Sequence, residues 1–241
     1  MNFSSNALTE WFEKISLSVM AYRKEVLIGL GITAGLISGV MGYMWYKHHA
    51  QIAAHKDLID FMQVYDASIT AEGKAKAGAN FASEQEKWRS VQELAASDYN
   101  RHKHAGIASW YLVYEAEALA NLGKHAQAAE VLKRAIDKMP SETVKDFYRV
   151  KLALINIDSD VKDTQKQGFQ ALEAIAQDSK HAANEVALYY LGAYFWAEKE
   201  YTQAKNYWQQ LMVKYGYKDA KQQSGYADLV KEKLRLISAD W

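Results

Sequence analysis

The chain has 241 residues, and its 29 Lys and Arg are matched by 29 Asp and Glu, a balance that excludes the polycationic surface expected of a nucleic-acid binder. It has no Cys, which rules out disulfides, thiolate metal sites and a lipid-modified cysteine. A single Pro, 13 Gly and abundant Ala, Leu, Glu, Lys and Gln favour helix and leave few of the breaks that a sheet-rich chain needs. The expected fold class is all-α: one N-terminal transmembrane helix followed by a helical domain.

In residues 1–24, Leu8, Trp11, Phe12, Ile15 and Val19 share one helical stripe, with Glu10, Glu13 and Lys14 elsewhere on the wheel. That pattern suits a short amphipathic segment lying in the headgroup region, with Trp11 and Phe12 at the interface. Next comes VLIGLGITAGLISGVMGYMWY, residues 26–46, without a charge. As a helix rising ~1.5 Å per residue, it crosses roughly 30 Å of hydrocarbon, so 25–46 is expected to span the membrane. Tyr43, Trp45 and Tyr46 mark its second interface. The run is too long and starts too late for a cleaved signal.

Gly31, Gly35 and Gly39 recur every fourth residue and form a face on which a second helix, from another copy or another membrane protein, can pack closely. Gly29, Gly31 and Ala34 match a dinucleotide fingerprint, but no strand precedes them and they lie within the apolar run, so that match is rejected. Lys14, Arg23 and Lys24 precede the span, against Lys47 and Lys56 after it. The bias places the N-terminus inside the cell.

Residues 47–82 are expected to form a membrane-proximal helix, with Ile52, Ile59, Met62 and Ile69 at helical spacing, and a linker at 73–79. Ser83-x-x-Glu86 is a capping-box pattern that opens the helical domain, 83–241. Within it, residues 109–140 read SWYLVYEAEALANLGKHAQAAEVLKRAIDKMP, two amphipathic helices joined by a Leu-Gly-Lys turn and stopped by Pro. Ala116, Leu119, Gly123, Ala128, Leu132, Ala135 and Pro140 give the order of small, bulky, turn and stop residues that resembles a tetratricopeptide repeat. Residues 185–216 repeat it with Leu191, Gly192, Phe195, Tyr201, Ala204 and Trp208, although Lys199 replaces the turn Gly. The copies start about two repeat periods apart, which calls for a further pair between them, at 144–157 and 164–177. Residues 226–237 carry Tyr226, Leu229, Val230, Leu234 and Ile237 on one stripe, as a terminal capping helix would.

This order of parts resembles the ancillary SecYEG translocon subunit family (YfgM type), over nearly the whole chain. The resemblance implies a bacterial inner-membrane protein with a cytoplasmic N-terminus and a periplasmic repeat domain. It also implies translocon subunits, periplasmic chaperones or unfolded clients as partners, with membrane lipid around the span and no nucleic acid. The expected function is a non-catalytic tethered adaptor; the alternative is a structural subunit of a larger envelope or secretion assembly.

In such repeats the first helix of each pair lines a concave groove. That maps Trp110, Val113, Glu117 and Asn121 from one pair, and Val186, Tyr189, Ala193 and Trp196 from the other, onto a partner-binding surface. Trp208 is assigned to the packed side. Asp158, Asp160 and Asp163 lack the Gly and distal Glu of a calcium loop, His102 and His104 have no further ligand, and His125 is expected to pack in the core. Glu115 and Glu117 lie on different helix faces, and no nucleophile-elbow, zincin or P-loop pattern occurs. No catalytic residue, metal or cofactor is expected.

Overall fold

The computed structural model describes residues 13–14, 22–69, 81–216 and 224–239. Its named elements are α-helices: α1 (Arg23–Tyr65), α2 (Glu84–His102), α3 (Ala108–Asn121), α4 (His125–Lys138), α5 (Glu142–Ile157), α6 (Lys162–Gln177), α7 (Asn184–Ala197), α8 (Tyr201–Tyr215) and α9 (Gly225–Ala239). A parallel bridge outside any strand joins Ile69 and Phe81. The chain divides into two units, Met1–Ala53 and Ala54–Trp241. The second therefore begins inside the stretch that the sequence assigns to a membrane-proximal helix and linker.

In the first unit, α1 carries Leu27, Ile28, Leu30, Ile32, Leu36, Ile37, Val40 and Met41 exposed all around its surface. It is long and apolar enough to cross a membrane. Water is a poor solvent for such a surface, whereas lipid costs it nothing. Thr33 donates its hydroxyl to the Gly29 carbonyl at 2.8 Å, which satisfies a polar group within the helix itself.

In the second unit each helix from α2 onward packs on its neighbour in the chain, and α9 also reaches α7. Local chemistry sets the helix ends. Ser83 caps α2 by accepting the Glu86 N–H at 3.2 Å, while the Glu86 carboxylate accepts the N–H of Ala82 at 2.9 Å, one residue before the cap. Before Pro140, Met139 is extended (φ −70°, ψ 137°) and ends α4. Ser141 then caps α5 by accepting from Val144. The middle pair expected from spacing is present as α5 and α6.

The turns α3–α4 and α7–α8 are built alike. Lys124 N–H donates to the Leu119 carbonyl at 2.9 Å, and Glu200 N–H donates to that of Phe195 at 2.8 Å. The residue before each donor is left-handed: Gly123 at φ 73° and Lys199 at φ 63°. Lys199 thus takes the backbone state that Gly adopts freely and a Cβ penalises.

Among the described residues, three apolar clusters fill the unit. Phe61 at the end of α1 joins Val91, Ala95 and Ala118. Leu112, Ala116, Leu132 and Ile155 anchor the second cluster, and Leu172, Leu191, Trp208, Leu211 and Val230 the third. Close crossings need small residues. A Cβ on Gly168 would stand 2.6 Å from the Ala153 carbonyl oxygen, and one on Gly192 would stand 2.7 Å from Cε2 of Trp208.

Candidate partner-binding site

The side chains expected to meet a partner lie on α3 and α7, each the first helix of its pair. On α3, Trp110 is half-buried with its ring centroid 5.8 Å from that of Tyr148 on α5, edge to face. Val113 is 3 % exposed and belongs to the second cluster, so its methyls serve the core. Asn121 is exposed and donates to its own helix, at the Glu117 carbonyl.

Glu117 is held from two sides. Tyr65 at the end of α1 donates its hydroxyl to Oε1 at 2.7 Å, and Lys151 on α5 donates to Oε2 at 2.6 Å. Burial alone would raise its pKa, but the hydrogen bonds from Lys151 and Tyr65 outweigh that and hold the carboxyl below its ordinary value. At Glu115, two residues away, burial outweighs the attraction of Arg134 and pushes the carboxyl upward. Tyr65 also stacks edge to face with Tyr114 and Trp88. The α1 end thus covers the part of α3 that a partner would be expected to reach.

On α7 the covering element is α9. The ring of Tyr226 lies 4.9 Å from that of Tyr189. Trp196 lies 5.0 Å from Tyr201 and 5.7 Å from Trp208, with the Lys233 ammonium 5.6 Å above its centroid. Ala193 packs partly buried in the same cluster, and Trp208 is fully buried. Its Nε1–H donates to the Tyr189 carbonyl at 3.2 Å. Tyr189 and Trp196 therefore lie beneath the chain's own terminal helix. Glu117 belongs to a separate network with Tyr65 and Lys151.

One opening lies between α5, α7 and α9, and another between α6, α7 and α8. The first, a cavity of about 690 Å³, is lined by Phe147, Ala182, Glu185, Val186, Tyr226 and Leu229, with Ser224 and Gly225. Phe147 is 44 % and Leu229 53 % exposed. Sequence periodicity puts Leu229 on the packed stripe of α9, but only Tyr226, Val230, Leu234 and Ile237 of that stripe pack inward. Oε1 of Glu185 is shut off from solvent, with no hydrogen-bond partner among the described residues. Neither Phe147 nor Glu185 is marked by periodicity, because the cavity is made by three helices distant in the chain.

In the first unit, a Cβ built on Gly31, Gly35 or Gly39 meets nothing within 4 Å, so that face is open. Tyr43, Trp45 and Tyr46 are exposed; Trp11 and Phe12 lie outside the described residues. His102 Nε2 lies 2.8 Å from Asp57 Oδ2, and His104 and Asp158 are exposed. Among the described residues, no group of three or more His, Cys, Asp or Glu is placed to hold a metal. Compared with protein-family models, curated proteins and solved structures, the chain matches none.

Proposed function

We propose that this protein is a membrane-tethered adaptor without catalytic activity, anchored in a bacterial inner membrane by α1. Its helical domain then works as a tetratricopeptide-like solenoid on the periplasmic side. The observation that carries the reading is the pairing of an exposed apolar helix with a helical domain that leaves a cavity open between Phe147 and Leu229. Exposed large apolar side chains beside a cavity suit contact with another protein. The solenoid reading is supported by the two turns at Gly123 and Lys199, which repeat the same hydrogen bonds 76 residues apart.

The resemblance to the ancillary translocon subunit family supports the secretion channel and periplasmic chaperones or clients as partners. The small excess of Lys and Arg before the span over those that follow it closely supports the orientation. Crosslinking in native membranes followed by mass spectrometry tests the reading. Channel subunits and chaperones are the expected products; a fixed stoichiometric complex without either would replace the adaptor by a structural subunit. Protease added to intact spheroplasts is expected to digest the helical domain, and full protection there would reverse the topology.

A further inference from the structure

From Val26 to Lys56 the chain has no Asp or Glu. The first charged side chain beyond the apolar run is Lys47, followed at once by His48 and His49, and all three are exposed on α1. Among the described residues none of them has a carboxylate partner. On the same helix the next charged or titratable side chains are His55, Lys56 and Asp57, more than a turn beyond His49.

The helix sets their depth. Residues 26–46 rise roughly 30 Å, the thickness of the hydrocarbon layer, and Tyr43, Trp45 and Tyr46 stand exposed at its edge. The next three residues rise about 1.5–4.5 Å further, whereas the headgroup layer on each side is roughly 5–8 Å deep. Lys47, His48 and His49 therefore fall at the depth of lipid phosphate. Successive residues turn by ~100°, so the three side chains cover about half the circumference. His49 is held on that surface: its ring lies 4.4 Å from that of Trp45, one turn earlier, edge to face, and 6.2 Å from that of His48.

An ammonium attracts phosphate across the whole physiological pH range, whereas an imidazole gains its charge as pH falls through the range of about 8 to 5. Resting on the reading of α1 as a membrane span, we propose that Lys47, His48 and His49 form a collar that gathers anionic phospholipid around the span, and gathers more of it as pH falls from 7.5 to 5.5. Lys47 supplies the preference present throughout. His48 and His49 supply the part that grows, each imidazolium donating to a headgroup phosphate oxygen. The segment before the span has Lys24 and Arg23 but no His, so the pH-dependent share belongs to this edge of the membrane.

The chain has no Cys, so Met44→Cys, at an exposed position one turn before His48, takes a single bimane label in the full chain. The labelled protein is placed in phosphatidylcholine vesicles. About one lipid in ten carries a nitroxide high in one acyl chain, as either phosphatidylglycerol or phosphatidylcholine. The ratio of quenching by the two probes reads the local enrichment of the anionic lipid. It is expected to be about twofold at pH 7.5 and about fivefold at pH 5.5. Lys47→Gln should lower it at both pH values. His48→Gln with His49→Gln should keep the ratio at pH 7.5 and remove the rise.

A ratio near one at both pH values, a ratio at pH 7.5 unmoved by Lys47→Gln, or a rise that survives the double His variant overturns the proposal. Strong quenching by both probes in those cases leaves the span itself in place. If neither probe quenches the label and carbonate washes the chain off the vesicles, α1 does not span and the inference falls together with that reading.

Discussion

The indole of Trp208 lies across the bare face of Gly192, so close that a methyl on Gly192 would overlap the ring, while its Nε1–H donates to the carbonyl of Tyr189 three residues earlier. The positions 76 residues before Gly192 and Trp208 hold Ala116 and Leu132, both fully buried. The two helical pairs thus fill equivalent places with different sizes: Ala and Leu in one, Gly and Trp in the other. Gly192→Ala is expected to destabilise the domain by about 1–3 kcal/mol through overpacking. Combining it with Trp208→Leu should recover part of that loss, and urea unfolding of the two single variants and the double variant measures the coupling.

Lys199 sits at φ 63° where its counterpart is Gly123. Lys199→Gly is expected to stabilise by about 0.5–1 kcal/mol, because relief of the left-handed penalty exceeds the entropy cost of the added freedom. Gly123→Ala should lose about 1 kcal/mol. Thermal melts of the pair should move in opposite directions.

Glu117 is titratable, and its folded-state pKa is depressed by Lys151 and Tyr65 against the effect of burial. A depressed carboxyl contributes stability that is present above its unfolded pKa and is lost as pH falls through the folded one. Glu117→Gln should therefore cost about 1 kcal/mol near neutral pH, and the gap to the parent should close as pH falls below about 4. Urea unfolding at pH 7 and pH 3.5 checks both the sign and the window.

Asn184 is fully buried at the start of α7 and uses both ends of its amide. Nδ2 donates to the carbonyls of Ile175, Ala176 and Asp178 at 3.2, 2.7 and 3.0 Å, and Oδ1 accepts from Lys214 at 3.0 Å and Tyr215 at 2.9 Å. Asn184→Leu strands acceptors at the end of α6 and is expected to cost about 1–3 kcal/mol. Hydrogen exchange should show the α6–α7 turn opening earlier in the variant than in the parent.

The helices and their stops were legible in the sequence because they rest on local chemistry: Ser83 three residues before Glu86, Gly123 in a turn, Pro140 after Met139. Even α5 and α6, marked by little beyond spacing, could be placed. What covers each face was not legible. Periodicity sets Tyr189 and Trp196 on one side of α7, but α9, through Tyr226 and Lys233, decides what packs on that side. Glu117 carries no mark of its tie to Tyr65, 52 positions earlier, or to Lys151, 34 later. The repeat pattern set Lys199 at the place of the turn Gly, but a Lys there carries no sign that the backbone keeps the left-handed state of Gly123.

The amide of Asn184 also bears on how the molecule ages. Asparagine slowly hydrolyses to a carboxylate through attack by the following backbone nitrogen, a reaction that a helix hinders and an unfolded chain permits. At this position the product would press a negative oxygen against the carbonyl oxygens at the end of α6 and remove the donors they now receive. Each excursion of the α7 start into an open state thus carries a chemical risk, and a chain altered there has lost the group that closes the turn on refolding.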